Sequence, residues 1–196
     1  FAAMAEGTSH LEGVLDSEDV RSSMKVVSQL GAQVNLEKGP DGSLSGTVTG
    51  WGAAGPVQPD GPLDCGNSGT TARLLMGMLA PWEVEAVITG DESLCRRPMR
   101  RNTAPLMKMG ARFELEEGYI IGRCRKLKGA HITFDLPTVG GTENLLMAAA
   151  LAEGETILEN AAREPEVVDL ANFLLACGAR IEGQGTSCNL EGHIFW

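Results

Sequence analysis

The sequence is poor in the residues that mark metal centres, disulfide frameworks and membrane spans. Its 5 cysteines are widely spaced without a C-x-x-C pair, and its 3 histidines carry no metal-ligand spacing. We therefore expect reduced thiols, no metal ion and no structural disulfide. No apolar run approaches the ~18 residues of a membrane helix and no signal peptide is visible, which predicts a cytoplasmic protein without a membrane partner.

Positive charge is also scarce. The chain has 16 Lys and Arg residues against 26 Asp and Glu, a net charge of −10, and no extended basic stripe. This balance argues against nucleic acid as a partner. An anionic ligand must then be held by a local group of arginines and backbone amides. The length of 196 residues and the apolar content of 43% fit a globular protein of one or two domains.

The most informative stretch is a run of small residues that leads into an apolar segment, residues 64–79. Gly66 and Gly69 lack a Cβ atom, so backbone amides there can come close to a ligand. The neighbouring Ser and Thr residues can cap a helix, and the free N–H groups at a helix start suit a phosphate or a carboxylate. An ordinary glycine-rich turn with a Ser/Thr cap would show the same pattern. A nucleotide P-loop is excluded, because no Lys follows the second glycine.

The chain contains three copies of one unit. Each copy has an apolar helix, a short strand, a second helix that ends in Gly-Ala, and further strands. The second helices end at Gly31, Gly110 and Gly178. Residues 50–61, rich in Gly and Pro, are predicted to form a loop between copies. The predicted helices are 1–5, 17–30, 71–79, 98–109, 142–152 and 166–176, and the predicted strands are 8–11, 34–37, 44–49, 83–88, 112–116, 119–121, 156–159, 180–182 and 187–190.

Two of the predicted first helices have no polar face. Residues 74–79 and 145–151 are apolar almost all round, and a helix of that kind belongs in the interior of a fold. We therefore predict that helices lie at the centre and that the sheets lie outside them.

Three motifs within residues 1–113 resemble 5-enolpyruvylshikimate-3-phosphate synthase. They are residues 15–21, 66–73 and 90–99, which read LDSEDVR, GNSGTTAR and GDESLCRRPM. From about residue 114 the chain instead resembles UDP-N-acetylglucosamine enolpyruvyl transferase. The chain is thus identified as a hybrid or divergent member of the enolpyruvyl transferase family. The segments that carry the second resemblance are 115–119, 127–131, 137–144 and 160–169.

The resemblance implies an α/β fold with an inside-out arrangement, in which three βαβαββ repeats surround a pseudo-threefold axis and the first repeat is truncated. Residues 1–196 would form a single lobe, with repeats at 1–55, 62–124 and 127–196. In the family the active site lies between two such lobes, and a Lys-Ser…Arg segment precedes the first helix. We therefore expect a half-enzyme that lacks its second lobe and does not turn over alone.

The resemblance also implies a reaction. The enolpyruvyl group of phosphoenolpyruvate would move to a substrate hydroxyl, without an organic cofactor. Shikimate 3-phosphate, of aromatic amino-acid biosynthesis, is the acceptor expected first, because the front-half motifs are intact. UDP-N-acetylglucosamine, of peptidoglycan synthesis, is the alternative acceptor, and a non-catalytic isolated lobe is a further alternative. Glu92 stands where the sugar-nucleotide enzyme carries its catalytic cysteine, five residues before its Arg-Pro pair.

Several residues are carried over as site candidates. Asp19 matches an acid of the family's pocket, although an Asp near a helix start is also an ordinary dipole contact. Arg97 is preferred over the neighbouring arginines because Pro98 fixes where it emerges, and its guanidinium suits a carboxylate or phosphate. The resemblance assigns phosphoenolpyruvate to Asn67, Gly69, Thr70 and Arg97, the second substrate to Ser68, Thr138, Val139 and Gly140, and a catalytic role to Asp19.

Overall fold

The computed structural model describes residues 1–116, 119–123, 126–185 and 189–191. It has the α/β content that the sequence predicts. The helices are α1 (Glu18–Gln29), α2 (Gly69–Leu79), α3 (Glu92–Cys95), α4 (Arg100–Lys108), α5 (Val139–Ala149) and α6 (Pro165–Ala176). The strands are β1 (Thr8–Val14), β2 (Gln33–Lys38), β3 (Leu44–Thr49), β4 (Leu63–Asp64), β5 (Ala86–Thr89), β6 (Arg112–Glu116), β7 (Tyr119–Arg123), β8 (His131–Thr133), β9 (Glu155–Glu159) and β10 (Asn189–Glu191).

The chain divides into two compact units. The first contains Phe1–Ala72, Val84–Arg97 and Leu115–Ile121. The single lobe and the boundaries of its three repeats remain predictions. The second unit contains Arg73–Glu83, Pro98–Glu114 and Gly122–Trp196.

An antiparallel sheet and helix α1 form the beginning of the first unit. The sheet order is β1-β3-β2, and β2 and β3, both predicted as strands, pair antiparallel with Val34 opposite Val48. Helix α1 begins after Ser17, whose side chain accepts a hydrogen bond from Val20 N at 3.3 Å. It ends at Leu30, which is completely buried. The sequence predicts a helix over residues 17–30, so both ends agree with the structure to within one residue.

Two pairs of parallel strands are each connected by a helix. Strands β4 and β5 pair in parallel and flank α2, while β8 and β9 pair in parallel and flank α5. The first pair belongs to the sheet β4-β5-β7-β6, and the second to the sheet β10-β9-β8. Parallel strands need a crossover connection, and both crossovers are the apolar helices. The carboxyl ends of β4 and β8 therefore lead into the loops that begin α2 and α5.

These two crossover helices are buried, as the sequence predicts. In α2, Leu75 and Met76 are 2% and 1% exposed, and in α5, Leu145 and Ala148 are 1% and 0% exposed. Full burial of a Leu or Met side chain contributes about 1.5–3 kcal/mol, so each helix is fixed mainly by packing. The inside-out arrangement of three repeats stays a prediction. Among the helices that the structure describes, none is long and apolar enough to cross a membrane.

The structure corrects several predicted elements. Residues 1–5 form a turn rather than a helix, because so short a segment has few helical hydrogen bonds and Gly7 follows with a positive φ of 82°. The strand predicted at 83–88 starts later, and residues 180–182, all of them described, form no strand. Residues 187–188 of the last predicted strand lie outside the described part. The sequence also missed α3, β4 and β8, which are short.

Candidate functional site

The loop that joins β4 to α2 is closed by its own backbone. Gly66 has a φ of 58°, a conformation that glycine accepts without strain, and donates its amide to Asp64 Oδ1 at 2.9 Å. The Ser68 amide donates to Cys65 O at 3.0 Å. The Gly66 amide and Lys25, whose Nζ lies 3.1 Å from the carboxylate, hold the pKa of Asp64 below its usual value. The turn is therefore fixed immediately before α2 begins.

A cluster of short polar side chains connects the start of α1 to this loop. The Ser68 hydroxyl donates to the Asp19 carboxylate and accepts from the Thr71 amide at 3.1 Å. Thr71 Oγ1 donates to Asp19 O at 3.2 Å, and Ser23 Oγ lies 2.9 Å from Thr71 Oγ1. Ser68 and Thr71 are 2% and 5% exposed, whereas Asp19 is exposed. The cluster thus fixes an accessible carboxylate beside the glycine-rich loop.

Three of the residues predicted to bind phosphoenolpyruvate, Asn67, Gly69 and Thr70, lie at the start of α2 or immediately before it. Helix α2 begins at Gly69, which is buried, while Asn67 and Thr70 are exposed. A helix start carries amides that its own backbone does not satisfy, together with the positive end of the helix dipole. The Asn67 and Thr70 side chains are therefore accessible where an anion would be favoured.

The segment that carries Arg97 contacts the glycine-rich loop through its beginning. The Asp91 amide donates to Gly66 O at 2.8 Å, and a Cβ atom on Gly90 would lie only 2.3 Å from the same oxygen. Asp91 then caps α3 by accepting from Leu94 N at 2.7 Å. The Arg97 amide donates to Leu94 O at 3.0 Å, and its side chain is exposed. Gly90 thus allows a close approach that a larger residue would prevent.

Neighbouring side chains around Arg97 have different partners. Arg96 pairs with Glu92, whereas Arg97 has no ion-pair partner among the described residues. Cys95 Sγ lies 3.4 Å from Gly90 O. Burial raises the pKa of the Cys65 thiol to about 12, so a thiolate is not available there near neutral pH.

Three of the residues predicted to bind the second substrate, Thr138, Val139 and Gly140, lie in the second unit, at the start of α5. Thr138 caps this helix, and its Oγ1 accepts from Gly141 N at 3.0 Å. Val139 and Gly140 are partly exposed, and a Cβ atom on Gly140 would meet nothing within 4 Å. The loop therefore offers accessible backbone at a helix start. The structure groups Asp19, Ser68 and the glycine-rich loop in the first unit, and Thr138–Gly140 in the second.

Sequence reasoning missed two members of the Asp19 cluster, Ser23 and Thr71. Ser23 follows Asp19 by four residues on α1, a spacing that puts both side chains on one helix face. That spacing could have suggested Ser23. Thr71 could not be singled out, because its contacts to α1 span about fifty residues of sequence.

The fold and the loops define an α/β protein in which a glycine-rich turn starts a buried crossover helix and an arginine segment contacts that turn. Comparison with known proteins identifies the family. The family model described as EPSP synthase (3-phosphoshikimate 1-carboxyvinyltransferase) matches residues 1–193. The chain belongs to this family of enolpyruvyl (carboxyvinyl) transferases.

Two curated relatives carry the name UDP-N-acetylglucosamine 1-carboxyvinyltransferase. The protein of Desulfovibrio desulfuricans is 47% identical over 196 residues, which cover 98% of this chain and 45% of the relative. That of Nitratidesulfovibrio vulgaris is 63% identical over 133 residues, which cover 67% of this chain and 32% of the relative. The chain therefore spans less than half the length of these relatives.

A solved structure of EPSP synthase from Acinetobacter baumannii is also similar. It superposes with a TM-score of 0.84 at 32% identity, and the match covers 98% of this chain and 43% of that one. Both resemblances predicted from the sequence are thus confirmed at the level of the family. The names of these curated relatives correspond to the sugar-nucleotide enzyme of the two resemblances, and the description of the family model to the shikimate enzyme.

Proposed function

We propose that the chain is part of an enzyme that transfers the enolpyruvyl group of phosphoenolpyruvate to a hydroxyl of UDP-N-acetylglucosamine. The family supports the reaction, and the 47% identity over 196 residues to a UDP-N-acetylglucosamine 1-carboxyvinyltransferase supports the acceptor. Shikimate 3-phosphate is the second candidate, favoured by the description of the family model and by the Acinetobacter baumannii structure. The cytoplasmic location stays a prediction.

The contact between Asp19 and the glycine-rich loop is the structural observation that carries this proposal. Phosphoenolpyruvate has a carboxylate and a phosphate, and both suit the amides and dipole at the start of α2. We place one of these anions against Asn67, Gly69 and Thr70. Arg97, which has no ion-pair partner among the described residues, would bind the other with its two-pronged guanidinium.

The proposed chemistry is an addition followed by an elimination. The acceptor hydroxyl loses its proton to a base and its oxygen forms a bond to C2 of phosphoenolpyruvate, while a proton is added at C3. The C2–O bond to phosphate then breaks, and loss of a proton from C3 restores the double bond. Asp19 would exchange one of these protons, because it is an exposed carboxylate whose position is fixed by Ser68 and Thr71.

The acceptor is assigned to the start of α5. Thr138, Val139 and Gly140 form a helix start with accessible backbone, which suits the phosphate oxygens of a nucleotide sugar. Ser68 was also predicted to contact the second substrate. That role stays a prediction, and the hydrogen bond from Ser68 to Asp19 gives Ser68 a positioning role as well.

The order of elements supports the proposal of three repeats. The second copy reads β4-α2-β5-α4-β6-β7 when the short α3 is set aside, and the third reads β8-α5-β9-α6-β10. The first reads β1-α1-β2-β3, which is the same series without its first strand and helix. We propose from this order that residues 1–55, 62–124 and 127–196 are repeats of one inside-out lobe. A second lobe would supply the other side of the active site.

Ligand titration of the chain, followed by backbone amide NMR shifts, tests the proposed function. Phosphoenolpyruvate should shift residues 66–71 in the native chain. Arg97→Ala should weaken that binding by about tenfold or more, because a charge-assisted hydrogen bond is lost. Arg96→Ala is the matched control, since Arg96 is paired with Glu92 and should leave the affinity unchanged. Equal losses in the two variants would reject the role of Arg97.

The same titration separates the acceptors. UDP-N-acetylglucosamine should shift residues 138–142. Shifts with shikimate 3-phosphate instead would favour the second candidate. If none of the three ligands shifts any amide, the non-catalytic isolated lobe is the better description.

A further inference from the structure

The side chain of Asn160 connects the loop after β9 to the loop after β8, through a hydrogen bond of the kind that backbone amides form between the strands. Phe134 N donates to Glu159 O at 3.0 Å, which continues the parallel pairing beyond the ends of both strands. Asn160 Nδ2 then donates to Phe134 O at 2.8 Å. Among the described residues other than glycine, Asn160 alone has a positive φ, of 54°. Asn tolerates this conformation better than most residues, and here it turns the amide toward Phe134.

Thr142 makes the second connection between the same two segments. Its Oγ1 accepts from Ala162 N at 3.0 Å and donates to Thr138 O at 2.9 Å. Thr142 is 1% exposed and Ala162 is also 1% exposed, so water does not compete for these bonds. One buried hydroxyl therefore joins the 160–162 segment to the residue that caps α5.

The space around Gly141 shows how closely the first turn of α5 is packed. A Cβ atom there would lie 2.9 Å from Thr138 Oγ1 and 3.4 Å from Phe134 Cε1. Gly140, one residue earlier, has open space instead. The first turn of α5 is thus closely packed at Gly141 and open at Gly140, which is the arrangement expected of a pre-organised binding site.

We propose that Thr142 and Asn160 are positioning residues that hold the acceptor-binding loop, residues 138–140, in its binding conformation. Neither side chain would touch the acceptor itself. The two hydrogen-bonded contacts, Thr142 with Ala162 and Asn160 with Phe134, are called the loop latch below. This inference rests on the proposed function, because it assigns the loop to UDP-N-acetylglucosamine.

Thr142→Val tests the latch, with two matched controls. The valine keeps the branched shape but loses the hydroxyl, leaving Ala162 N and Thr138 O without their side-chain partner. Thr142→Ser restores the hydroxyl and should restore the native behaviour. Thr156→Val makes the same exchange at another threonine of the second unit. Thr156 is 0% exposed, and its Oγ1 has no hydrogen-bond partner among the residues that the structure describes. It should leave the loop unchanged.

Two readouts keep the latch and the acceptor assignment distinguishable. Amide hydrogen exchange in the ligand-free chain should be about tenfold faster at residues 141 and 142, whose amides donate to Thr138, in Thr142→Val, and native in Thr142→Ser and Thr156→Val. The apparent Kd for UDP-N-acetylglucosamine, from amide shifts, should rise by about tenfold in Thr142→Val alone. Asn160→Gly is the second latch variant, because it keeps the positive φ and removes the amide, and it should behave like Thr142→Val.

Each outcome decides the inference. Equal exchange in Thr142→Val, Asn160→Gly and the native chain would reject the latch. Faster exchange with an unchanged Kd would reject its positioning role. If exchange is faster in Thr142→Val but UDP-N-acetylglucosamine shifts no amide of the native chain, the latch is supported and the acceptor assignment is rejected. If Thr142→Val does not fold, which circular dichroism would reveal, Asn160→Gly carries the same tests.

Discussion

Asp16 lies just before helix α1 and forms ion pairs rather than capping the helix. Ser17, the next residue, caps α1. The Asp16 carboxylate instead accepts from Arg21 Nε at 2.6 Å and from Lys38 Nζ at 2.8 Å, and its side chain is 9% exposed. The hydrogen bonds from Arg21 and Lys38 lower the pKa of Asp16 to about 2.

This lowered pKa predicts how stability depends on pH. A carboxylate whose pKa is lower in the folded chain stabilises the fold above the unfolded pKa, near 4, and loses that contribution as the pH falls toward 2. The urea midpoint of the native chain should therefore fall more steeply between pH 4 and pH 2 than that of Asp16→Asn. Asp60→Asn, an exposed control, should keep the native steepness. Identical slopes for Asp16→Asn and the native chain would contradict the prediction.

The site illustrates what sequence can and cannot predict at the scale of residues. Asn67, Thr70 and Arg97 could be proposed because each lies within a motif, and the motif places them near a helix start. The hydrogen bond from Ser68 to Asp19 could not be predicted, because these residues are far apart in sequence and only the docking of α1 against the loop joins them. The requirement for glycine at position 90 could not be predicted either. The carbonyl oxygen that leaves no room for a side chain there belongs to Gly66, which is far away in the sequence.

At the scale of elements, α2 approaches α5 closely at Gly77. A Cβ atom on Gly77 would lie 2.3 Å from the backbone oxygen of Asn144 and 2.3 Å from its Oδ1. Asn144 is 0% exposed, and within the described part of the chain neither its Oδ1 nor its Nδ2 has a hydrogen-bond partner. This contact leaves no room for a methyl group, and the backbone oxygen cannot move away without shifting α5.

Gly77→Ala should therefore destabilise the chain by about 1–3 kcal/mol, the usual cost of overpacking a core. Urea unfolding measures the change. Gly140→Ala is the matched control on α5, because its added methyl group meets no atom within 4 Å, and alanine favours a helix by up to about 1 kcal/mol. If Gly77→Ala is as stable as Gly140→Ala, the helices are not in the close contact described.

The longer elements were predictable and the shorter ones were not. Helices α1, α2, α5 and α6 carry Ser or Thr caps, apolar faces or terminal glycines, so several local signals agree on each. Strands β4 and β8 have only 2 and 3 residues, too few to show any periodicity. They exist because a neighbouring parallel strand supplies their hydrogen bonds. The prediction of a helix at residues 1–5 was wrong for a related reason: the segment is short, and apolar composition alone does not form a helix.

At the scale of the whole molecule, the chain covers less than half of each relative, and this limits the activity expected of the chain alone. The chain spans 45% of the Desulfovibrio desulfuricans relative and 43% of the Acinetobacter baumannii structure. If the active site lies between two lobes, the chain alone should release no phosphate from phosphoenolpyruvate with either acceptor. Adding the second lobe as a separate polypeptide should restore turnover. Phosphate release from the chain alone would contradict the two-lobe proposal, and none after addition would support a non-catalytic lobe.

The paired parallel strands also determine how this chain must reach its fold. Leu63 pairs with Ile88, and His131 with Ile157, so each sheet joins residues on opposite sides of an entire helix. Such pairs lose chain entropy before their contacts form, which slows folding relative to a helical bundle of similar size. Until the strands close, α2 and α5 expose apolar surface on every side. A newly made chain is therefore most prone to aggregate before its two crossovers have closed, and dilute, slow refolding should recover more protein than rapid refolding at high concentration.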